Sequence, residues 1–181
     1  REIVNSFNFT YKPEEEIFVM PKAVVPDSKL ERRLPGLDGK VKMSKSAGNA
    51  IYLCDDEETV KAKVMSAYTD PNHIKVSDPG QVEGNIVFAY LDAFATDEDF
   101  EKYLPEYKNL DELKAHYRAG GLGDVKIKVF LNKILNALLK PMRERRQECL
   151  NHIDEIYQML FKNSLEAEKV AKQRVEKMKD A

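Results

Sequence analysis

Long apolar runs, paired cysteines and glycine-rich phosphate motifs are all missing from this chain of 181 residues. No apolar stretch approaches the roughly 20 residues that a membrane-spanning helix needs, so no membrane contact is predicted. Cys54 and Cys149 fit no metal-ligand spacing and are interpreted as reduced thiols. The three histidines are equally isolated, and neither a metal site nor histidine catalysis is predicted. Gly-x-Gly-x-x-Gly and Walker loops are also absent.

Charge is unevenly distributed along the chain, although the formal net charge is only -2. Residues 125–147 contain seven basic residues and one acid, whereas residues 87–111 lean acidic. A local basic stripe is expected where a protein contacts an RNA backbone, and a solvated helix face is the alternative. Hydrophobic residues make up 43% and charged residues 33% of the chain, as expected of a soluble, cytoplasmic, globular protein.

Apolar periodicity predicts helices over most of the chain, after a shorter mixed region. Residues 1–50 combine a helix over about 1–8, an extended stretch over 17–25 and a turn-rich loop, as at the closing edge of an α/β domain. Asp55 is the predicted N-cap of the next helix, because Glu58 three residues later completes a capping box. The later helices are predicted over about 55–67, 85–95, 97–104, 110–118, from 124 onward and over 165–179.

The helix that opens at Asp124 has the clearest pattern. Its apolar residues recur at i, i+3 and i+4 and predict a stripe that faces the core. The stripe consists of Ile127, Phe130, Leu131, Ile134, Leu135, Leu138 and Leu139. Asp124 is expected to cap this helix, which makes the preceding Gly-Gly-Leu-Gly at 120–123 helix punctuation rather than a phosphate cradle.

Two signals interrupt the helical pattern in the last third of the chain. Pro141 predicts a kink or a break, because proline lacks the N–H that a helix interior uses. The period resumes at Leu150, and Asn163 or Ser164 is expected to cap a separate last helix. The chain from Asp55 onward is therefore predicted to form a helical bundle.

The pentapeptide at residues 42–46, Lys-Met-Ser-Lys-Ser, carries the chemistry that is easiest to interpret. Lysine ammonium groups are mobile point charges that can follow the negative charge developing on a departing pyrophosphate. Serine hydroxyls and the free N–H groups of a turn add donors at phosphate distance. The residues therefore predict a loop that binds a triphosphate, with a solvated basic turn as the alternative.

The pentapeptide and four further strings resemble class I aminoacyl-tRNA synthetases, and among them the bacterial tryptophanyl-tRNA synthetases. The strings are Leu-Pro-Gly-Leu-Asp-Gly at 34–39, Met-Ser-Ala-Tyr-Thr-Asp-Pro at 65–71, Gly-Gly-Leu-Gly-Asp-Val-Lys at 120–126 and Pro-Met-Arg-Glu-Arg-Arg at 141–146. They follow the family's order and cover nearly the whole chain. Ala47 is a small departure, since leucine is common there in the family.

The resemblance implies amino-acid activation. ATP and tryptophan would form tryptophanyl-adenylate and pyrophosphate, and the aminoacyl group would pass to tRNA(Trp). Lys42 and Lys45 would be catalytic and hold the phosphates, and Lys45 would matter most in the transition state. Ser44 and Ser46 would support the loop or bind phosphate, and the Met43 main chain would lie by the adenine. ATP with Mg²⁺ is expected in the complete enzyme, and no cofactor is expected for this chain by itself.

His-x-Gly-His, the other class I motif, is not found, and the chain begins without a methionine. The resemblance therefore implies the C-terminal half of an enzyme, inactive by itself and homodimeric when complete. The implied fold is mainly α, with a helical bundle of the anticodon-binding type attached to the C-terminal remnant of a Rossmann-like α/β nucleotide-binding domain. Residues 1–54 would form that remnant with the loop, 55–162 the anticodon-binding bundle, and 163–181 a helix that packs back on the catalytic domain.

The resemblance also favours tRNA as the partner of the basic stripe. Unstacked anticodon bases can be read by arginine while lysine holds phosphate. The candidate contacts are Lys126, Lys128, Arg143, Arg145 and Arg146. Two alternatives stay open. One is a synthetase for tyrosine or another class I amino acid, whose loop usually departs from the pentapeptide. The other is an RNA-binding module without catalysis.

Overall fold

The computed structural model describes residues 1–14, 17–25, 33–40 and 42–180, which are mainly α-helical. The helices, numbered in chain order, are α1 (Glu2–Tyr11), α2 (Glu57–Met65), α3 (Ile86–Phe94), α4 (Asp97–Tyr103), α5 (Leu110–Ala119), α6 (Asp124–Leu150) and α7 (Ile153–Lys179). The described residues form no β-strand, and an isolated antiparallel bridge joins Pro35 to Lys42. The predicted mainly α fold is confirmed.

The chain divides into two compact units, residues 26–147 and residues 1–25 with 148–181. The loop region belongs to the first unit because Leu37 is buried in the same core as α2 to α6. The boundaries of these units differ from those of the three predicted parts, which lie after residues 54 and 162. The division into three domains stays a prediction.

The core of residues 26–147 contains most of the predicted stripe of α6. Six of its seven members are buried, namely Ile127, Phe130, Leu131, Ile134, Leu135 and Leu139. For the seventh member, Leu138, the prediction of burial is wrong, because its side chain is 44% exposed. Beyond Leu135 the buried face of α6 turns toward Leu139 and leaves Leu138 outside it. A periodic pattern predicts the apolar face of a helix, but it does not show how far neighbouring elements cover that face.

Short polar side chains begin three helices of this unit. The side chain of Asn85 accepts a hydrogen bond from Val87 N at the start of α3, and that of Asn109 accepts one from Glu112 N at the start of α5. Thr96 and Asp99 form a reciprocal capping box at α4. Each side chain satisfies main-chain N–H groups that the first turn leaves unpaired. The predicted positions of these three helices are confirmed.

The predicted N-cap of α2, Asp55, is wrong. Asp56 is the cap, and its Oδ1 accepts a hydrogen bond from Thr59 N at 2.8 Å. Hydrogen bonds from Thr59 lower the pKa of the Asp56 carboxyl. The Asp55 carboxylate instead accepts from Tyr52 N at 2.8 Å and pairs with the ammonium group of Lys63. Asp55 and Asp56 both have the short carboxylate that caps a helix, and Lys63 in the last turn of α2 pairs with Asp55 and leaves the cap position to Asp56.

Pro141 does not break α6, which runs continuously from Asp124 to Leu150. Of the predicted kink or break, the break is therefore excluded. Proline removes one N–H donor from the helix. The guanidinium of Arg143 brings donors to the turn before the proline, since Nη2 donates to the main-chain O of Asn136 and Nη1 to Asn136 Oδ1, both at 3.1 Å.

Residues 1–25 and 148–181 contain α1 and α7. Val4 and Phe7 of α1 are buried, and the Phe7 ring meets the ring of Phe18 edge-on at 5.1 Å between centroids. Arg174 of α7 donates a hydrogen bond to the main-chain O of Ile17. These contacts connect the last helix to the first 25 residues within one unit.

The separate last helix predicted to begin at Asn163 or Ser164 is wrong, because both lie inside the continuous α7. Polar residues cap a helix only where the main chain leaves helical geometry. Here good helix formers follow, and ion pairs at i, i+3 and i, i+4 support the helix. The pairs are Lys169–Glu166 and Lys172–Glu168.

Candidate functional site

The pentapeptide 42–46 lies on a loop of defined main-chain geometry. Met43 N donates to Leu34 O at 3.2 Å, and Gly48 N donates to Lys45 O at 3.1 Å, which closes the turn. Gly48 has φ 66°, a left-handed conformation that glycine adopts without steric cost. The Met43 side chain packs against the core of residues 26–147 and anchors the middle of the loop.

The polar side chains of the pentapeptide supply positive charge and hydroxyl donors, which are groups that can bind an anion. Lys42 and Lys45 are exposed, and neither ammonium group forms an ion pair with a described carboxylate. The hydroxyl groups of Ser44 and Ser46 lie 2.9 Å apart. One of them donates to the other, which leaves one hydroxyl proton available. Within the described part of the chain, the loop thus offers two cations without an ion-pair partner and one hydroxyl donor on five consecutive residues.

A polar cluster that the sequence analysis missed supports the loop. Lys63 Nζ lies 4.2 Å from the centroid of the Tyr52 ring and pairs with Asp55. The Tyr52 hydroxyl donates to Lys45 O at 3.5 Å, which links this cluster to the pentapeptide. Arg143 reaches the same place from α6 and donates to Asp55 O at 3.4 Å. Tyr52 and Asp55 lie within ten residues of the pentapeptide, so their nearness to it could have been inferred from the sequence. Arg143 is 88 residues from Asp55, and only the fold brings the two together.

Asn49 is a second residue outside the pentapeptide that supports the loop. It is buried, and its Oδ1 accepts a hydrogen bond from Ser44 N at 2.9 Å. The pattern Gly-Asn after the pentapeptide signals a turn, but it does not reveal that the asparagine points back under the loop.

Three of the five basic candidates for RNA contact have partners within the protein. Lys126 pairs with Glu106 at 2.7 Å, a contact that raises the pKa of Lys126 and lowers that of Glu106. Lys128 Nζ donates to Met65 O at 2.9 Å, and burial lowers the pKa of Lys128. Arg143 is 17% exposed and also contacts Glu57 Oε1 at 3.3 Å.

The other two candidates, Arg145 and Arg146, are exposed and have no ion-pair partner in the described part of the chain. The structure therefore does not bring all five basic residues to one free surface. Two of the guanidinium groups are available to a phosphate or a base without breaking a contact inside the protein.

Asp124 was expected to cap α6, and its carboxylate has a different role. Tyr117 OH donates to Asp124 Oδ1 at 2.7 Å, and Asn85 Nδ2 donates to Tyr117 OH at 3.2 Å. His73 Nδ1 lies 3.4 Å from Asp124 Oδ2. Burial, and then Asp124, raise the pKa of Tyr117. The cluster is a buried polar contact among elements distant in sequence, so no local pattern could have shown it.

The glycines near Asp124 provide main-chain geometry between two helices, as the sequence predicted. Gly120 and Gly121 both have positive φ, and a Cβ at Gly120 would lie 2.5 Å from Ser77 O. The described residues contain no group of three or more His, Cys, Asp or Glu side chains placed to hold a metal ion. No helix in the described part of the chain combines the length and apolar character needed to cross a membrane.

Comparisons with known proteins show the family to which the chain belongs. The family described as tRNA synthetases class I (W and Y) matches residues 1–140. Tryptophan–tRNA ligases of Clostridium longisporum and Lactococcus lactis are 57% identical over 171 residues and 51% identical over 181 residues. These alignments cover 94% and 100% of this chain but 47% and 50% of the relatives. The chain therefore spans about half the length of the curated relatives it matches.

A solved structure of similar fold is the tryptophanyl-tRNA synthetase of Campylobacter jejuni, complexed with ADP and tryptophan. It is 28% identical to this chain, with a TM-score of 0.70. The alignment covers 99% of this chain and 51% of that one. In sequence and in structure, this chain is thus similar to about half the length of tryptophanyl-tRNA synthetases.

Proposed function

The chain belongs to the class I tRNA synthetases of the W and Y type, and we propose that it forms part of a tryptophan–tRNA ligase. The reaction joins ATP and tryptophan into tryptophanyl-adenylate with release of pyrophosphate, and then transfers the aminoacyl group to tRNA(Trp). The observation that carries this proposal is that Lys42 and Lys45 are exposed on an anchored loop and form no ion pair with a described carboxylate. The identity to tryptophan–tRNA ligases favours tryptophan over tyrosine as the amino acid.

In this proposal the two lysines bind the phosphates of ATP and stabilise the charge that develops as pyrophosphate departs. The free hydroxyl proton of the Ser44–Ser46 pair donates to a phosphate oxygen. Met43 N already donates to Leu34 O. The carbonyl oxygen of Met43 is then its main-chain group that remains to accept a hydrogen bond from the adenine amino group.

The described residues offer no carboxylate cage for Mg²⁺. The ion is therefore proposed to arrive with the triphosphate, whose oxygens suit its preference for hard ligands. The two lysines supply positive charge on the protein side. The homodimer and the cytoplasmic location expected from the sequence stay predictions.

For tRNA binding, the contacts favour Arg145 and Arg146 among the five basic candidates. They are exposed and have no ion-pair partner among the residues that the structure describes. Lys126, Lys128 and Arg143 would each lose a hydrogen bond or ion pair inside the protein before they could contact RNA.

The test is tryptophan-dependent exchange of pyrophosphate into ATP by the full-length protein that carries this chain. Lys45→Ala should reduce the exchange rate about 10²–10³-fold while tryptophan still binds, since a positioned charge is lost from the transition state. Lys40→Ala is the matched control, because Lys40 is an exposed lysine two residues before the pentapeptide.

Three outcomes would contradict the proposal. One is a Lys45→Ala enzyme as active as wild type, and another is an equal loss with Lys40→Ala. The third is exchange that depends on tyrosine instead of tryptophan, which would move the protein to the other branch of the family. The 181-residue chain by itself should show no exchange.

A further inference from the structure

Asn49 is a buried asparagine whose hydrogen bonds with described residues all go to the pentapeptide loop and the turn before it. The residue is 5% exposed, and a buried amide is stable only when its donors and acceptor are paired. Its Oδ1 accepts from Ser44 N at 2.9 Å. Its Nδ2 lies 3.1 Å from Asp38 Oδ1 and 3.4 Å from Lys42 O.

These bonds hold the loop on both sides of Met43. Lys42 O and Ser44 N are main-chain atoms of the residues before and after Met43, and one side chain bonds to both. The main-chain O of Asn49 also accepts from Leu37 N at 2.9 Å, and Leu37 is part of the core. The main-chain path that carries the two lysines is therefore attached to the core through Asn49.

Gly36 provides an independent sign that the protein keeps room for this amide. A Cβ at Gly36 would lie 2.0 Å from Asn49 Nδ2 and 2.5 Å from Asn49 Cγ. Gly36 is not among the glycines with positive φ, so its backbone conformation does not require glycine. What requires glycine at this position is the space that the Asn49 side chain occupies.

We propose that Asn49 is a positioning residue for the ATP-dependent step, which sets the main-chain path of the loop and thereby the places of Lys42 and Lys45. The proposal rests on the proposed function of the loop. Asn49 acts through the loop main chain and needs no contact with ATP. Because none of its hydrogen bonds goes to a helix in the described part of the chain, its removal should change the loop more than the fold.

The experiment measures the kinetics of pyrophosphate exchange in the full-length protein. Asn49→Ala should lower kcat/KM for ATP about 100-fold, because displacement of a catalytic group by about 1 Å has an effect of this order. The KM for tryptophan should stay unchanged. Gly36→Ala should lower kcat/KM for ATP in the same way, since the new methyl group displaces the Asn49 amide. Asn72→Ala is the matched control, because the Asn72 side chain is exposed and forms no hydrogen bond with a described residue.

A charge-neutral exchange tests the hydrogen bond between the two side chains. Asn49→Asp keeps an acceptor for Ser44 N but removes the donor and places a second carboxylate against Asp38. Asp38→Asn in the same protein returns an amide donor to the pair. The double variant should therefore recover part of the kcat/KM for ATP that Asn49→Asp loses. A residue that merely filled space would show no such recovery.

The outcomes separate this inference from the function on which it rests. If Lys45→Ala is inactive while Asn49→Ala and Gly36→Ala keep wild-type kcat/KM for ATP, the positioning role is wrong and the function stands. If Lys45→Ala is fully active, the function itself is wrong. A lower unfolding midpoint for Asn49→Ala with unchanged ATP kinetics would show a purely structural role and overturn the proposal. If Asn49→Ala does not fold, Gly36→Ala and the Asp38/Asn49 exchange decide by the same criteria.

Discussion

Helices α6 and α7 have the same length of 27 residues and similar apolar periodicity, but they bury their side chains very differently. The first half of α6 contributes Phe130 and its neighbours to the core, whereas α7 buries none of its residues in the described part of the chain. Tyr157, Leu160 and Phe161 of α7 are all exposed. The comparison shows that a periodic apolar face predicts a helix, while burial depends on elements that other parts of the sequence supply.

The same contrast separates basic residues on one helix. Arg143 and Arg146 lie less than one turn apart in α6, and the sequence gives both the same positive charge. Arg143 donates to Asn136 and Asp55, which leaves it 17% exposed, while Arg146 is exposed without an ion-pair partner in the described residues. Packing therefore divides a basic stripe into structural residues and residues free to bind a partner.

The largest effect is expected from truncation of a buried ring in α6. Phe130 is 1% exposed, and its ring centroid lies 4.7 Å from that of Phe100. Phe130→Ala should lower the free energy of unfolding by about 3–5 kcal/mol, because it removes apolar contacts and leaves a cavity. The measurement is urea denaturation of the 181-residue chain.

Phe161→Ala in α7 is the matched control. Phe161 is 71% exposed, and the expected change in unfolding free energy is within about 0.5 kcal/mol. Equal losses for the two variants would contradict the contrast between the helices. A large loss for Phe161→Ala that appears only in the full-length protein would instead show that another part of that protein covers this face.

A smaller effect is expected from the hydroxyl of a buried tyrosine. Tyr117→Phe removes the donor to Asp124 and the acceptor for Asn85, and should destabilise the chain by about 1–3 kcal/mol. Tyr157→Phe on α7 should have no measurable effect, because Tyr157 is exposed. A neutral Tyr117→Phe would show that water or another group replaces the lost hydroxyl.

The Tyr117 hydroxyl should also affect stability at high pH. Its pKa is raised above the ordinary value of 10.0 by burial and by Asp124. As the pH rises, the unfolded chain therefore loses the Tyr117 proton before the folded chain does. The stability that the protonated hydroxyl contributes to the folded state is complete below about pH 10 and decreases at higher pH. The slope of unfolding free energy against pH in this alkaline range should be shallower for Tyr117→Phe than for wild type.

The smallest effect on stability is expected for the arginines of α6, where RNA binding gives a second readout. Arg143→Met should cost about 1–2 kcal/mol of unfolding free energy, since it removes charge-assisted hydrogen bonds. Arg146→Met should leave stability unchanged but lower tRNA affinity, and reduce the slope of log affinity against log salt by about 1 if it contacts a phosphate. Filter binding across a salt series measures this slope.

The reverse result would restore the interpretation that the sequence alone suggested. If Arg143→Met weakens binding of the cognate tRNA without a change in stability, Arg143 leaves its contacts with Asn136 and Asp55 to read the RNA. If neither variant changes tRNA affinity in the full-length protein, the exposed arginines are a solvated face. Recognition then lies elsewhere in the protein.

Local patterns predicted the helices well where one residue controls the local geometry. The helices predicted near residues 85, 97 and 110 form at those places, and the structure shows Asn85, Thr96 and Asn109 as their N-caps, where short polar side chains are favoured. The predictions failed where two outcomes had similar local energies. Asp55 and Asp56 both suit a cap, and contact with Lys63 takes Asp55 away. Asn163 could end a helix, but the residues after it continue one.

The sequence by itself determined the helical fold and the chemistry of the pentapeptide, because helix periodicity and the side chains of residues 42–46 are local properties. Tertiary structure alone decided which apolar faces are buried, which basic residues stay free and what holds the loop. Leu138, Arg143 and Asn49 each depend on partners elsewhere in the fold. Side chains are paired or left exposed by packing between distant segments, and a local pattern contains no information about those neighbours.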